Sequence, residues 1–157
     1  MPAITPFLWF DDKAEEAVNF YVSIFEHAII SNVSRQAPEE PANEGAVFSM
    51  TFELEGQKFM ALNGGPHYEF SPAISLFISC ETQADVDRYW DRLSEGGQTM
   101  QCGWVTDKYG ITWQVIPDLL GELLGDDDEN KAGNVMQAML AMTKLDMAAL
   151  QRAYDEA

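Results

Sequence analysis

Positive charge is scarce in this chain: nine Lys and Arg stand against 26 Asp and Glu over 157 residues, a formal net charge of −17. A nucleic-acid backbone or an anionic membrane surface needs clustered cations, so neither is expected as a partner. The acidic surplus reads instead as a solvated surface that keeps the chain in solution. Cysteine is equally sparse. Cys80 and Cys102 are too few for a disulfide scaffold and match no zinc spacing. Cys80 closes an apolar run and is expected as a buried, reduced thiol. No apolar run approaches the ~20 residues of a membrane span. Met1-Pro2-Ala3-Ile4-Thr5-Pro6 has no basic leader region, and a cytoplasmic location is the expectation. Nucleotide-binding and nucleophile motifs are missing as well. No G-x-G follows a strand and opens a helix. Asn63-Gly64-Gly65-Pro66 does follow a strand, but Pro66 and the lack of a following helix spoil the comparison. There is no G-x-S-x-G, and neither cysteine has a recognisable histidine companion.

What is present is an ordinary globular composition, 46% hydrophobic and 11% aromatic, in a length suited to a single domain, 1–157, with a substantial core. Ala3–Phe10 reads as a strand, with Pro6 placing it at an edge. Asp11 or Asp12 is positioned to cap a helix whose stripe is Ala14, Ala17, Val18, Tyr21, Ile24 and Phe25. Ala28–Val33 is a strand, and residues 36–45 form a Pro- and Glu-rich loop. Ala46–Leu54 and Lys58–Leu62 form a hairpin about Glu55-Gly56-Gln57. The pattern then restarts. Ala73–Cys80 is a strand, and Thr82-Gln83-Ala84-Asp85 opens a helix with the stripe Val86, Tyr89, Trp90 and Leu93. Gly96-Gly97 stops it. Short strands are expected near Thr99–Met100 and Gly103–Thr106.

The most informative stretch is Trp104-Val-Thr-Asp107-Lys-Tyr-Gly110-Ile-Thr-Trp113-Gln114-Val-Ile-Pro117. Asp107 to Gly110 supplies a tight turn, because a late glycine accepts positive φ. Beyond it, Ile111, Trp113 and Val115 alternate with Thr112, Gln114 and Ile116. Gln114 is thus a polar amide in mid-strand, on the face opposite Trp113. Past Pro117 a helical tail, 118–157, has no counterpart in the repeat. Its helices are expected at Leu119–Leu124, around Val135, Met136, Met139 and Leu140, and around Met147, Leu150 and Tyr154.

The doubled order, strand–helix–strand–strand–strand over 1–70 and again over 71–117, predicts an α+β fold: two βαβββ modules forming cupped mixed or antiparallel sheets, plus the C-terminal helices. With Phe20-Tyr21 on the first helix and Asp107-Lys-Tyr-Gly110 before the last strand, it resembles the vicinal-oxygen-chelate superfamily of glyoxalase I, bleomycin-resistance proteins and extradiol dioxygenases. Within it, the segments Ile4–Phe10, Ala14–Tyr21, Phe59–Pro66, Asp87–Trp90, Cys102–Trp104, Trp113-Gln114 and Pro117…Leu120–Leu124 are similar to the branch catalogued as 3-demethylubiquinone-9 3-methyltransferase-like.

In the metal-dependent relatives, the resemblance implies, four strands each offer a His or Glu to one divalent ion. Laid on this chain, those positions fall near Thr5 or Pro6, near Ala61, near Ile74 or Ser75, and on Gln114. None carries a His, Asp or Glu, so no bound metal and no cofactor are expected. A concave sheet lined by aromatic and neutral polar groups remains, the usual form of a small-molecule site. Gln114, Trp9, Asn63, His67, Trp104 and Trp113 are the candidates to line it. Each has a plain alternative: Trp9 and Trp113 as core, Asn63 as a turn residue, His67 as a solvated loop histidine. The expected function is metal-free binding of an unknown small molecule. The alternative is a metal-independent lyase, isomerase or the catalogued methyl transfer, with His67 or Gln114 taking part. A homodimer is expected, because paired modules of this fold commonly complete a cup across subunits and the Met-rich tail offers apolar surface.

Overall fold

In the computed structural model, which describes residues 1–37 and 45–157, the repeat is present as two four-stranded sheets of identical topology. The elements are β1 (Phe7–Phe10), α1 (Ala14–Ile24), β2 (Ala28–Arg35), β3 (Val47–Leu54), β4 (Gln57–Asn63), β5 (Ser75–Cys80), α2 (Gln83–Ser94), β6 (Gln98–Thr99), β7 (Trp104–Thr106), β8 (Thr112–Pro117), α3 (Asp118–Leu124), α4 (Glu129–Leu140) and α5 (Met147–Asp155). Sheet order is β1-β4-β3-β2 in one unit, Met1–Glu69, and β5-β8-β7-β6 in the other, Phe70–Ala157. In each, the first and last strands of the module run parallel and the remaining pairs antiparallel. Most of the Pro- and Glu-rich loop expected at 36–45 lies outside the described residues.

In the first unit one sheet face is sealed. Met50, Phe52, Phe59 and Ala61 are buried there, and so are Ala14, Ala17, Val18, Tyr21 and Ile24 of α1. Phe52 and Phe59, paired across β3 and β4, stack at 5.3 Å between ring centroids. Each such side chain withdrawn from water is worth roughly 1.5–3 kcal/mol. β1 begins at Phe7 and not at Ala3, because Pro2 and Pro6 bring no N–H to a ladder. The Pro6 carbonyl is used, accepting from Met60 N–H.

The cap of α1 also differs from expectation. Neither Asp11 nor Asp12 provides it; the Ncap position is Lys13, which makes no side-chain cap. The Ala14 amide instead donates to Asn63 Oδ1 at 2.8 Å, so the end of β4 satisfies the start of the helix.

In the second unit Thr82 caps α2 as its sequence position suggests, its hydroxyl accepting from Asp85 N–H at 3.1 Å. The stripe Val86, Tyr89, Trp90 and Leu93 is buried, in line with the 3.6-residue period. Gly110, at φ +96°, closes the turn before β8 in the left-handed region a side chain would resist.

The tail forms its three helices where expected and adds a second apolar cluster: Ile116, Leu120, Leu123, Val135, Leu145 and Leu150. It is strapped to the sheet by backbone, since Cys102 N–H donates to Met142 C=O and Gly103 N–H to Thr143 C=O. Gln83 at the start of α2 holds the far end. Its Nε2 donates to Leu145 C=O and Asp87 Oδ1, while its Oε1 accepts from Met147 N–H. Lys144 pairs with Asp87 at 2.9 Å. No helix among the described residues is long and apolar enough to cross a membrane.

Candidate functional site

Strand register decides which side chains share a face. β8 lies between β5 and β7, and the register sets Gln114 opposite Phe77 on one side and Trp104 on the other. Ser75, two residues before Phe77, shares that face by alternation, as do Thr112 and Thr106. The reverse face holds Trp113, Val115 and Val105, all buried. Gln114 Nε2 donates to Ser75 Oγ at 2.9 Å. Thr106 and Thr112 hydroxyls meet at 3.1 Å beside them. Phe77 is 59% exposed, whereas Trp104, Ser75 and Gln114 are half-buried.

Two polar atoms on these side chains carry no protein partner among the described residues: Gln114 Oε1 and the Trp104 indole N–H. The Ser75 hydroxyl, having accepted from the amide, retains its proton for donation. The face therefore offers an acceptor and donors, all neutral, flanked by two aromatic rings.

Trp113 lies on the opposite face at 2% exposure. It does not join Gln114 and Trp104, because adjacent residues of a strand point to opposite sides. Its indole N–H donates to Asp107 Oδ2 at 2.8 Å, while Asp107 Oδ1 accepts from Tyr109 N–H at 2.8 Å and Ile111 N–H at 3.1 Å. Asp107 is only 3% exposed. Its carboxylate thus ties the turn to the strand that presents Gln114.

The candidates of the first unit fall into two places. Trp9 and His67 come together, edge-on at 6.5 Å between ring centroids, and Tyr68 meets Trp9 at 5.0 Å. Trp9 Nε1–H donates to Gly65 C=O at 2.9 Å. Gly64 must lack a side chain, because a Cβ there would run into the Trp9 indole. Asn63 faces away from this group, since Trp9 is in register with Leu62. Its carboxamide is engaged by structure, accepting from Ala14 N–H and donating to Val47 C=O at 3.1 Å.

The four positions that the superfamily resemblance assigns to metal ligands can now be judged on geometry. Ala61 is fully buried on the sealed face of its sheet, so no residue at that position would look out from the open side. Ser75 and Gln114 do share an open face, but they bond to each other as neutral groups. Among the described residues no three His, Cys, Asp or Glu side chains gather where an ion would be held. The donor set does not fit a divalent cation. Two useful residues were missed by sequence reasoning, Phe77 and Tyr68. For Phe77 the signal was available, an apolar residue in step with Ser75 on an otherwise polar strand face.

Two titratable groups with perturbed settings lie away from this face. Burial pushes the Cys80 thiol up to about 12. The Gln83 carboxamide, and after it Lys144, hold Asp87 below the usual carboxylate range.

Residues 2–116 match the family model described as 3-demethylubiquinone-9 3-methyltransferase. A Bacillus cereus PhnB protein, provisionally named a 3-demethylubiquinone-9 3-methyltransferase, is 38% identical, with 72% of this chain and 97% of that chain covered and a TM-score of 0.65. A Pseudomonas aeruginosa protein of solved structure is 19% identical, covering 72% of this chain and 95% of its own, at a TM-score of 0.60. A fosfomycin resistance protein from Listeria monocytogenes, crystallised with Mn(II) and sulfate, is 16% identical, covering 71% and 88%, at a TM-score of 0.51. The last two show the shared fold. No curated protein matches significantly.

Proposed function

This chain belongs to the 3-demethylubiquinone-9 3-methyltransferase family, and on that footing we propose that it binds a small molecule without a metal, on the open face of the β5–β8–β7–β6 sheet. One observation carries the reading: Gln114 is anchored through its amide nitrogen to Ser75 and keeps its carbonyl oxygen unpartnered between Phe77 and Trp104. A half-buried amide positioned by a neighbour but not satisfied by it is arranged to meet something else. Trp9, Tyr68 and His67 form a second aromatic group that suits ligand contact.

The family's name favours methyl transfer as the alternative, and one experiment addresses both. Purified full-length chain is screened by thermal shift against a metabolite library that includes S-adenosylmethionine, beside Gln114→Ala. A ligand that raises Tm in the parent and not in the variant supports binding at this face. Stabilisation by S-adenosylmethionine that survives Gln114→Ala supports the enzyme and refutes the module. We place the protein in the cytoplasm on the strength of its two unpaired thiols. We expect a homodimer, in which exposed apolar residues of the tail such as Met136 and Leu140 would find cover.

A further inference from the structure

We propose that the Ser75–Gln114 pair selects neutral ligands that carry a hydrogen-bond donor beside an acceptor, such as the N–H and C=O of a cis-lactam, and rejects anions. The inference rests on the binding reading above and adds the chemical class. Its basis is the direction of the bond between the two side chains. Gln114 spends one of its two N–H donors on Ser75 Oγ, which leaves the amide oxygen as an acceptor and the hydroxyl proton as a donor for a ligand. A ligand edge opposite this pair must donate to Gln114 Oε1 and accept from Ser75 Oγ–H. A carboxylate has no proton to give and would set its charge against an unpartnered carbonyl oxygen.

Charge points the same way. No Lys, Arg or His stands on this face among the strand residues; beside Ser75, Phe77, Thr112, Gln114, Trp104 and Thr106, the register puts only Ser79, Ile116 and Gln98 there. The chain as a whole carries −17, which disfavours anionic partners at long range. Width agrees with a flat molecule. Phe77 and Trp104 flank Gln114 on the two neighbouring strands, so their backbones are roughly 10 Å apart. One ring standing edge-down between them would lie about 5 Å from each, within aromatic contact range.

The test uses 15N-labelled full-length chain and three probes of similar size: 2-pyridone, N-methyl-2-pyridone and benzoate. The Gln114 side-chain amide signals are assigned from Gln114→Ala. Titration with 2-pyridone should move those signals and the Trp104 indole signal. Methylating the probe's nitrogen removes only the donor and should weaken binding by about tenfold or more, because a site built around a hydrogen bond penalises its loss. Benzoate should leave the signals unmoved. Ser75→Ala should weaken 2-pyridone several-fold while the rest of the spectrum is retained. Equal binding of 2-pyridone and its N-methyl form, or preferential binding of benzoate, overturns the selectivity and leaves the face as a binding site. Silence of Gln114 and Trp104 toward all three probes overturns both.

Discussion

Replacing Asp107 with Asn tests whether a single carboxylate holds the Gln114 strand in place. The change preserves size and removes one acceptor. In the parent, Oδ1 serves the Tyr109 and Ile111 amides and Oδ2 serves the Trp113 indole, all within 3.1 Å. An asparagine has one oxygen. If it keeps the two backbone donors, its NH2 group confronts the indole N–H in a site that is 3% exposed. The loss is one hydrogen bond to a charged acceptor together with a buried donor left unmet, about 2–4 kcal/mol. For a chain of this length that lowers Tm by roughly 5–15 °C. Urea unfolding followed by circular dichroism gives the free energy. Trp113→Phe removes the confronting N–H, so in that background Asp107→Asn should cost about 1.5–3 kcal/mol less. A single Asp107→Asn within about 0.5 kcal/mol of the parent, or strict additivity with Trp113→Phe, would refute the reasoning.

Acid should loosen the tail before it melts the sheets. Asp87 sits below its ordinary range because Gln83 and Lys144 favour its charged form. A lowered folded-state pKa gives stability that is complete above the unfolded value, ~3.9, and is lost as pH falls through the folded value. Protection factors of the Met147 amide, measured between pH 5 and pH 3, should therefore fall, and Asp87→Asn should remove the dependence. Thiol labelling should divide the two cysteines. With its pKa pushed to about 12, Cys80 should resist a disulfide reagent at pH 8 while half-buried Cys102 reacts, and equal rates would contradict the burial.

The elements themselves were legible because their signals are local. The α2 stripe of Val86, Tyr89, Trp90 and Leu93 repeats at helical spacing, and Thr82 stands three residues before the amide it caps. What escaped notice depends on pairing across distance. Asn63 caps a helix 49 residues away, and nothing near Ala14 announces it. Gln114 could be flagged as a polar residue in an apolar strand, but its partner Ser75, 39 residues earlier, follows only from the parallel register of β5 and β8. Trp113 and Trp104 look alike in composition. Only alternation within the sheet separates the one that braces Asp107 from the one beside the open amide.

The strap between Cys102-Gly103 and Met142-Thr143 separates two boundaries that are usually drawn together. The family match ends at residue 116, yet the turn that launches β7 is completed by carbonyls well past that border. An expression clone trimmed to the homologous region would retain every strand but for Pro117 at the end of β8 and still lose the partners of two amides and the cover over Ile116. Biochemists who shorten this protein for convenience should expect a weaker molecule from the shorter gene.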